Sequence, residues 1–540
     1  MLNLLNLGNS LRKISKWQVF LAVMALPTLL ALLGVLSSFL YPDIESLSHL
    51  AQYVLPQTIK NTIFLVIGVG FMTTVLGVSL AWLTAVCDFP LRKFFVWALI
   101  LPMAIPGYVM AFALVGLFEY TGPVQNFLRE TLGSSSAFPN IYSYGGVVLA
   151  LSLALYPYTY LMVRNAFQTQ GLRSLEVGQS LGLSVRESFW RICLPMARPW
   201  IVGGALLVMM ETLSDFGTVA IFNYDTLTSA IYKSWFGLYS LPAALQVASV
   251  LLIFVVVITL LERRSRAGQR FSQARSSKSV AGRIYLRGTY RWLALLACLL
   301  VFSLAFVMPV MRLLYWAIPN MDVELTSQFW RYVAGSTSLS LIAMLMIAGL
   351  ALLMAFSART YNSPFAKMAV RVSTMGYALP GTVLAVGLFV PVAAIDNALG
   401  AIGVPTPLLQ GTMVVMLLAY SVRFMAVAFS PLESNLLRIT PSIDAASRSL
   451  GVSGIKMLTK VHLPMVKGGL LTAMILVFVD VMKELPITLM TRPFGFNTLA
   501  VRIFELSSEG LWERAALPAL AIVLVGLIPA FILIRKSDAR

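Results

Sequence analysis

The stretch Glu176–Val177–Gly178–Gln179–Ser180–Leu181–Gly182, followed after nine intervening residues by Ile192–Cys193–Leu194–Pro195, has a counterpart in the same chain. Ala445–Ala446–Ser447–Arg448–Ser449–Leu450–Gly451 is followed at the same interval by Val461–His462–Leu463–Pro464. The copies stand 269 residues apart in a chain of 540, so the sequence reads as one unit written twice. Each copy is a polar island in an apolar sequence. A polar element of fixed length, repeated between membrane segments, points to docking of a partner.

The surroundings decide the class. Hydrophobic residues make up 59% of the chain and charged residues 11%, and the mean hydropathy is +0.84. Apolar runs of about 20 residues recur, the length of a helix across hydrocarbon, whereas barrel strands would alternate in runs of about ten. The expected fold is an all-α integral membrane protein of about twelve transmembrane helices, arranged as two parallel six-helix repeats. Candidate spans lie near 18–40, 62–85, 95–118, 143–164, 199–222 and 241–261 in the first half. In the second half they lie near 292–317, 336–357, 367–392, 410–431, 468–490 and 515–534. The first run follows Arg12, Lys13 and Lys16 and is longer than a signal-peptide core of about 7–15 residues, so it reads as a retained span.

Charge sets the orientation. The net charge of +18 fits a multi-spanning protein with basic inner loops better than a nucleic-acid binder. Arg263, Arg264, Arg266, Arg270, Arg275, Lys278, Arg283, Arg287 and Arg291 follow one another with no acidic residue between them. The chain therefore divides into a first half, 1–262, a basic cytoplasmic linker, 263–291, and a second half, 292–540. Counting spans outward from the linker places both termini and the loops 165–198 and 432–467 in the cytoplasm, in agreement with Arg535 and Lys536 beside the last span. Both halves then enter the membrane in the same direction, so the repeat is parallel.

Each polar loop reads as helix, glycine turn, helix. Ser174 or Ser442 is the expected cap of the first helix. Gly182 or Gly451 supplies the positive φ that ends it. A second helix starts at Val185 or Gly454, and Pro195 or Pro464 marks the approach to the next span. The repeat also reaches into the membrane. Ala104–Ile105–Pro106–Gly107 matches Ala378–Leu379–Pro380–Gly381, and Pro-Gly inside a span implies a kink or break.

Two acidic pairs lie within apolar runs, Glu211 with Asp215 and Asp480 with Glu484, again 269 residues apart. Spacing of i,i+4 places both members of a pair on one helix face. A carboxylate in a span must face protein, water or a cation. In a parallel repeat the two faces are expected to approach across the pseudo-two-fold axis and line a path suited to a hard cation. The alternatives are structural neutralisation by Lys483 and backbone donors, or Asp215 and Glu484 simply reaching the outer interface. Outer-loop residues Trp235, Phe236, Tyr239, Phe504, Glu505, Glu509 and Trp512 are candidates for a binding-protein contact, although an interfacial aromatic belt explains them as well.

Catalytic chemistry finds no place. There is no Gly-x4-Gly-Lys-Ser/Thr loop, so ATP hydrolysis by this chain is not expected. Cys87, Cys193 and Cys298 are scattered, and His49 and His462 are far apart, so no disulfide framework, metal cluster or cofactor is implied.

The Glu-x5-Gly-x9-Ile-x-Leu-Pro spacing resembles the coupling loop of ATP-binding-cassette importer permeases. In that family each loop inserts a short helix into a groove of a nucleotide-binding subunit. The resemblance implies coupling roles for Glu176, Gly182, Ile192, Leu194 and Pro195 in the first loop, and for Asp444, Ala445, Gly451, Leu463 and Pro464 in the second. The second copy departs from the pattern, with Ala445 at the glutamate position, Asp444 one place earlier and Val461 for Ile192. Met210–Glu211–Thr212–Leu213–Ser214–Asp215–Phe216–Gly217–Thr218–Val219 resembles the ferric-iron uptake branch, whose permeases are commonly two fused halves. Asp480–Val481–Met482–Lys483–Glu484–Leu485–Pro486 and Arg492–Pro493–Phe494 resemble the same branch. Thiamine permeases share the fused architecture. The family implies a multi-pass protein of the bacterial inner membrane, surrounded by lipid, working with two copies of an ATPase subunit and a periplasmic substrate-binding protein. It implies no cofactor and no nucleic acid. A secondary transporter with parallel repeats and a membrane scaffold are the rival readings.

Overall fold

A computed structural model describes residues 16–40, 44–133, 140–267, 283–405 and 407–538. Arg12 and Lys13, and Arg270, Arg275 and Lys278 of the basic linker, lie outside the described residues. Among those described, twelve helices are long and apolar enough to cross a membrane, in agreement with the expected all-α membrane class. Leu241–Glu262, for example, is an unbroken 22-residue apolar helix, which at 1.5 Å per residue covers about 33 Å.

The second and eighth spans start earlier than expected, at Leu50 and Ser327, and two further pairs differ in kind. The third apolar run is not one helix. Arg92–Ala98 and a 3-10 turn, Leu101–Ala104, precede the helix Gly107–Phe118. The second half repeats this with Pro364–Met375, the 3-10 turn Gly376–Ala378 and Gly381–Ala401. Proline drives the residue before it into extended backbone, and Ile105 (ψ 114°) and Leu379 (ψ 128°) are extended. The crossing segments therefore start at Gly107 and Gly381, later than 95 and 367.

The fifth and eleventh spans are shifted the other way. Val185–Ser214 and Gly454–Lys483 are each continuous over 30 residues, so the second helix of each polar loop runs directly into its span. A five-residue π-turn, Phe189–Cys193 or Leu458–His462, joins the two segments at the same place in each copy.

The chain packs as two compact units. One comprises Met1–Tyr41 with Gly335–Phe496, the other Pro42–Ala334 with Asn497–Arg540. In the first, Lys16–Leu36 crosses Gly381–Ala401 so closely that a Cβ on Gly34 would fall 1.9 Å from the Gly387 carbonyl oxygen. In the second, Trp316 from Met308–Ala317 fills the space over Gly116, where a Cβ would meet its ring at 2.0 Å. The indole stacks on Phe112 with centroids 6.2 Å apart, and the other face of the cluster is closed by Trp512. The first span thus packs on helices from late in the chain, and the seventh and last pack on helices from early in it. Packing units cut across the sequence repeat.

Candidate functional site

The two polar loops fold into hairpins with the same closure. Leu172–Ser180 and Pro441–Ser449 form the first helices. Gly182 (φ 80°) and Gly451 (φ 74°) occupy the left-handed region, as expected of a turn glycine. In the first hairpin Leu183 N–H donates to Gly178 O and Gly182 N–H to Gln179 O. In the second Val452 N–H donates to Ser447 O and Gly451 N–H to Arg448 O. These paired bonds are a Schellman motif, register for register. The second helices start at Val185 and Gly454, as the spacing predicts.

The expected caps are not the observed ones. Ser174 lies inside its helix, which already starts at Leu172, and its buried hydroxyl donates to Met196 Sδ at 3.0 Å. Ser442 is also helical, because Pro441 sits in the first turn and Thr440 takes the extended N-cap conformation. The strong cap is one that the sequence reading missed. Ser184 Oγ accepts from Glu187 N–H at 3.3 Å, and Glu187 Oε2 accepts from Ser184 N–H at 3.0 Å. Ser-x-x-Glu is the written signal of such a capping box. Its counterpart, Ser453-x-x-Lys456, lacks the carboxylate, and Ser453 makes no side-chain cap bond.

Exposure sorts the remaining loop residues. Glu176 and Ala445 face outward on their helices, with Pro195 and Pro464 also exposed, while Ile192, Leu194 and Leu463 are half-buried. Val177, Leu181 and Trp190 in the first hairpin, and Leu450 and Ile455 in the second, are large apolar side chains that stand out from the surface. Asp444 behaves differently. Its Oδ2 accepts from Arg359 Nε and Nη2 at 3.0 and 2.8 Å, and its Oδ1 lies 2.8 Å from His462 Nε2. Burial by itself would raise this carboxyl, but the bonds and charges of His462 and Arg359 outweigh it and hold the group below the usual aspartate value.

The acidic pairs are not single helical faces. Leu194–Ser214 and Leu463–Lys483 end just before Asp215 and Glu484, which are extended (ψ 131° and 125°). The i,i+4 argument fails there because the helix has stopped. Each carboxylate instead caps the short helix that follows. Asp215 Oδ2 accepts from Thr218 Oγ1 at 2.8 Å, and its Oδ1 from Val219 N–H at 3.2 Å, at the start of Gly217–Ile221. Glu484 accepts from Ile487 N–H at 2.8 Å, Thr488 N–H at 2.9 Å and Thr488 Oγ1 at 2.8 Å, at the start of Pro486–Thr491. The glycines of the Pro-Gly breaks press against these same carboxylates. A Cβ on Gly107 would fall 3.1 Å from Asp215 Oδ2, and one on Gly381 would fall 3.1 Å from Glu484 Oε1. Sequence reading found the two features separately; the structure joins them, once in each unit. Glu211 and Asp480 are half-buried near the ends of their helices. Among the described residues no three His, Cys, Asp or Glu side chains are grouped to hold a metal ion. The three cysteines are buried thiols.

Known proteins are similar to this chain in sequence. Residues 73–267, which include the first hairpin, match the family model described as binding-protein-dependent transport system inner membrane component. The chain is 27% identical over 484 residues to the Fe(3+)-transport system permease protein FbpB 2 of Haemophilus influenzae, covering 88% of this chain and 89% of that protein. It is 24% identical over 455 residues to the ferric transport system permease protein FbpB of Actinobacillus pleuropneumoniae, covering 80% and 64%. A shorter match, 26% over 187 residues, joins 34% of this chain to 80% of the molybdenum transport system permease protein ModB of Escherichia coli. With twelve apolar helices and these matches, the chain carries the domain of the binding-protein-dependent inner membrane components at residues 73–267 and is a multi-pass inner membrane permease of an ATP-binding-cassette importer, a transport component and not an enzyme.

Proposed function

We propose that this permease carries ferric iron across the inner membrane, driven by two copies of a separate ATPase, one docked on each hairpin. The observation that carries the docking reading is the identical Schellman closure around Gly182 and Gly451. A partner with two equal grooves needs two equal plugs. On this reading both hairpins and both termini face the cytoplasm, a periplasmic binding protein delivers the substrate, and the halves 1–262 and 292–540 each present one hairpin. The exposed Glu176 and Ala445 stand on the docking face. The substrate reading is supported by the length of the ferric matches, 80% or more of the chain against 34% for the molybdenum relative.

The mechanism follows from continuity. Closure of the ATPase displaces a hairpin, and the second helix of that hairpin is also the foot of a span. A 30-residue helix reaches about 45 Å, so the displacement travels along Val185–Ser214 or Gly454–Lys483 to the break at Asp215 or Glu484. There the carboxylate holds the following short helix by its N-terminal donors, so tilting the span re-aims that helix. Glu211 and Asp480, half-buried carboxylates near the ends of their spans, remain the pathway candidates.

Purified permease, ATPase and binding protein in liposomes test the reading. Iron uptake is expected to require ATP and the loaded binding protein. Uptake that proceeds without the ATPase and collapses with the proton gradient would establish a secondary transporter instead. With the reconstituted system, Glu211→Gln is expected to slow uptake by about tenfold, in line with loss of a charged site in a span. Wild-type uptake by that variant removes Glu211 from the pathway.

A further inference from the structure

One guanidinium organises the base of the second hairpin. Arg359 stands at the end of the helix Ser327–Thr360, and all three of its side-chain nitrogens are used. Nη1 donates to Leu436 O at 2.8 Å and Nη2 to Ile439 O at 2.8 Å, both at the end of the preceding span, Met413–Leu436. Nε and Nη2 also donate to Asp444 Oδ2 in the first turn of the hairpin helix. Asp444 Oδ1 reaches His462 in the π-turn that leads into Leu463–Lys483. His462 is fully buried, with its ring edge-on to Phe356 at 5.5 Å. Three span ends and one hairpin helix are therefore held by a single set of directional bonds.

The first hairpin has nothing of the kind at the matching places. Pro90 and Pro364, like Pro106 and Pro380, stand 274 residues apart, which sets Ala85 opposite Arg359. The loop offset of 269 sets Leu175 opposite Asp444 and Cys193 opposite His462. Ala85, Leu175 and Cys193 are all buried. The neighbouring contact is aromatic, with Trp82 edge-on to Phe167 at 5.3 Å and to Phe189 at 4.6 Å. An alanine, a leucine and a buried thiol in one copy stand where the other has an arginine, an aspartate and a histidine, so all three members of the set differ.

We propose that Arg359 is a positioning residue for energy coupling, which makes the second hairpin a rigid strut while the first is a packed, yielding contact. Apolar packing is non-directional and lets a helix slide over its seat. Charge-assisted bonds to a fork of fixed geometry do not. Movement of Pro441–Ser449 is thus delivered to the ends of Ser327–Thr360 and Met413–Leu436 and to the foot of Leu463–Lys483 at once. The inference deepens the docking reading and rests on it.

The test uses the full complex of permease, ATPase and iron-loaded binding protein in liposomes, measuring ferric iron imported per ATP hydrolysed. Arg359→Ala is expected to lower that ratio about tenfold, within the usual range of coupling between sites. Arg359→Lys is expected not to rescue it, since an ammonium cannot span the same acceptors. The decisive variant is the triple exchange Arg359→Ala, Asp444→Leu, His462→Cys, which installs the set that the first copy already tolerates. Assembly with the ATPase together with a lowered ratio supports the proposal. A wild-type ratio in the triple variant overturns it, leaving the network as a fold device only. Failure of the ATPase to assemble with wild-type permease through the hairpins, read by cross-linking at Leu181 and Leu450 positions changed to cysteine, overturns the docking reading instead, and the proposal with it.

Discussion

Arg359, Asp444 and His462 join at the base of the second hairpin; the repeat sets Ala85, Leu175 and Cys193, all buried, at the corresponding positions of the first. The turns above them are alike bond for bond, with positive φ at Gly182 and Gly451. The caps reverse the pattern of the bases, since the capping box of Ser184 and Glu187 belongs to the first hairpin alone. The two copies share the turn that shapes each hairpin and differ in the residues set beneath it. A seat can be built from dispersion and burial or from directional charged bonds, provided that each set is complete. A mixed set leaves a buried charge without its partner.

The largest expected effects fall on what the hairpins share. A β-branched side chain at φ near +75° is strained however much room surrounds it, and nothing lies within 4 Å of a Cβ at either glycine. Gly182→Val and Gly451→Val are each expected to cut iron uptake at least about tenfold through a strain of roughly 1–3 kcal/mol, with the protein retained in the membrane. Equal losses in the two variants sharpen the comparison. Full transport in both would break the docking assignment.

Next come the mixed sets. Leu175→Asp places a carboxylate at a buried site in a copy that has Ala85 at the position of Arg359, and is expected to cost about 3 kcal/mol of local stability. Asp444→Leu strands Arg359 and is expected to cost a similar amount. Hydrogen exchange of 172–183 and 441–452 measures both. If Leu175→Asp leaves the first hairpin as protected as before, its seat is not the apolar one described.

Acid should separate the two seats. The Asp444 carboxyl is held below the usual aspartate value, so the folded hairpin binds its proton less tightly than the unfolded chain does. The stability this contributes is full above the unfolded value of about 3.9 and is lost as pH falls through the lower folded value. Protection of 441–452 is expected to decline from about pH 4 downward in the wild type and to lose this component in Asp444→Asn. An identical acid profile in the two proteins would remove Asp444 from the seat.

The smallest effect concerns the caps. Ser184→Ala is expected to destabilise the first hairpin by about 1 kcal/mol, and Ser453→Ala to change the second by only a few tenths, because no side-chain bond is lost there. Equal effects on exchange in the two hairpins would show that the capping box contributes little.

Much of this was legible along the chain because it depends on neighbours in sequence. Glycine at 182 and 451 predicts positive φ, and Pro106 and Pro380 predict broken spans, from backbone sterics acting over two or three residues. The errors arose where a local signal needed a boundary. Ser174 and Ser442 are good capping residues, but the helices begin before them, at Leu172 and Pro441. Glu211 and Asp215 have helical spacing, but the helix ends at Ser214. The partner of Asp444, which stands one place before the family's glutamate position, is Arg359, 85 residues away, and no local signal points to it.

By itself, then, the sequence determined the membrane class, the twelve spans, the duplication and the two glycine-closed hairpins. These rest on composition, run length and single-residue backbone preferences, all of which act locally. Only the tertiary structure decided that each Pro-Gly break is pressed onto a capping carboxylate, that the first span packs on helices from late in the chain, and that Arg359 ties the second hairpin to three span ends. Those facts depend on side chains far apart in sequence meeting at hydrogen-bonding distance, and no local preference encodes such a meeting.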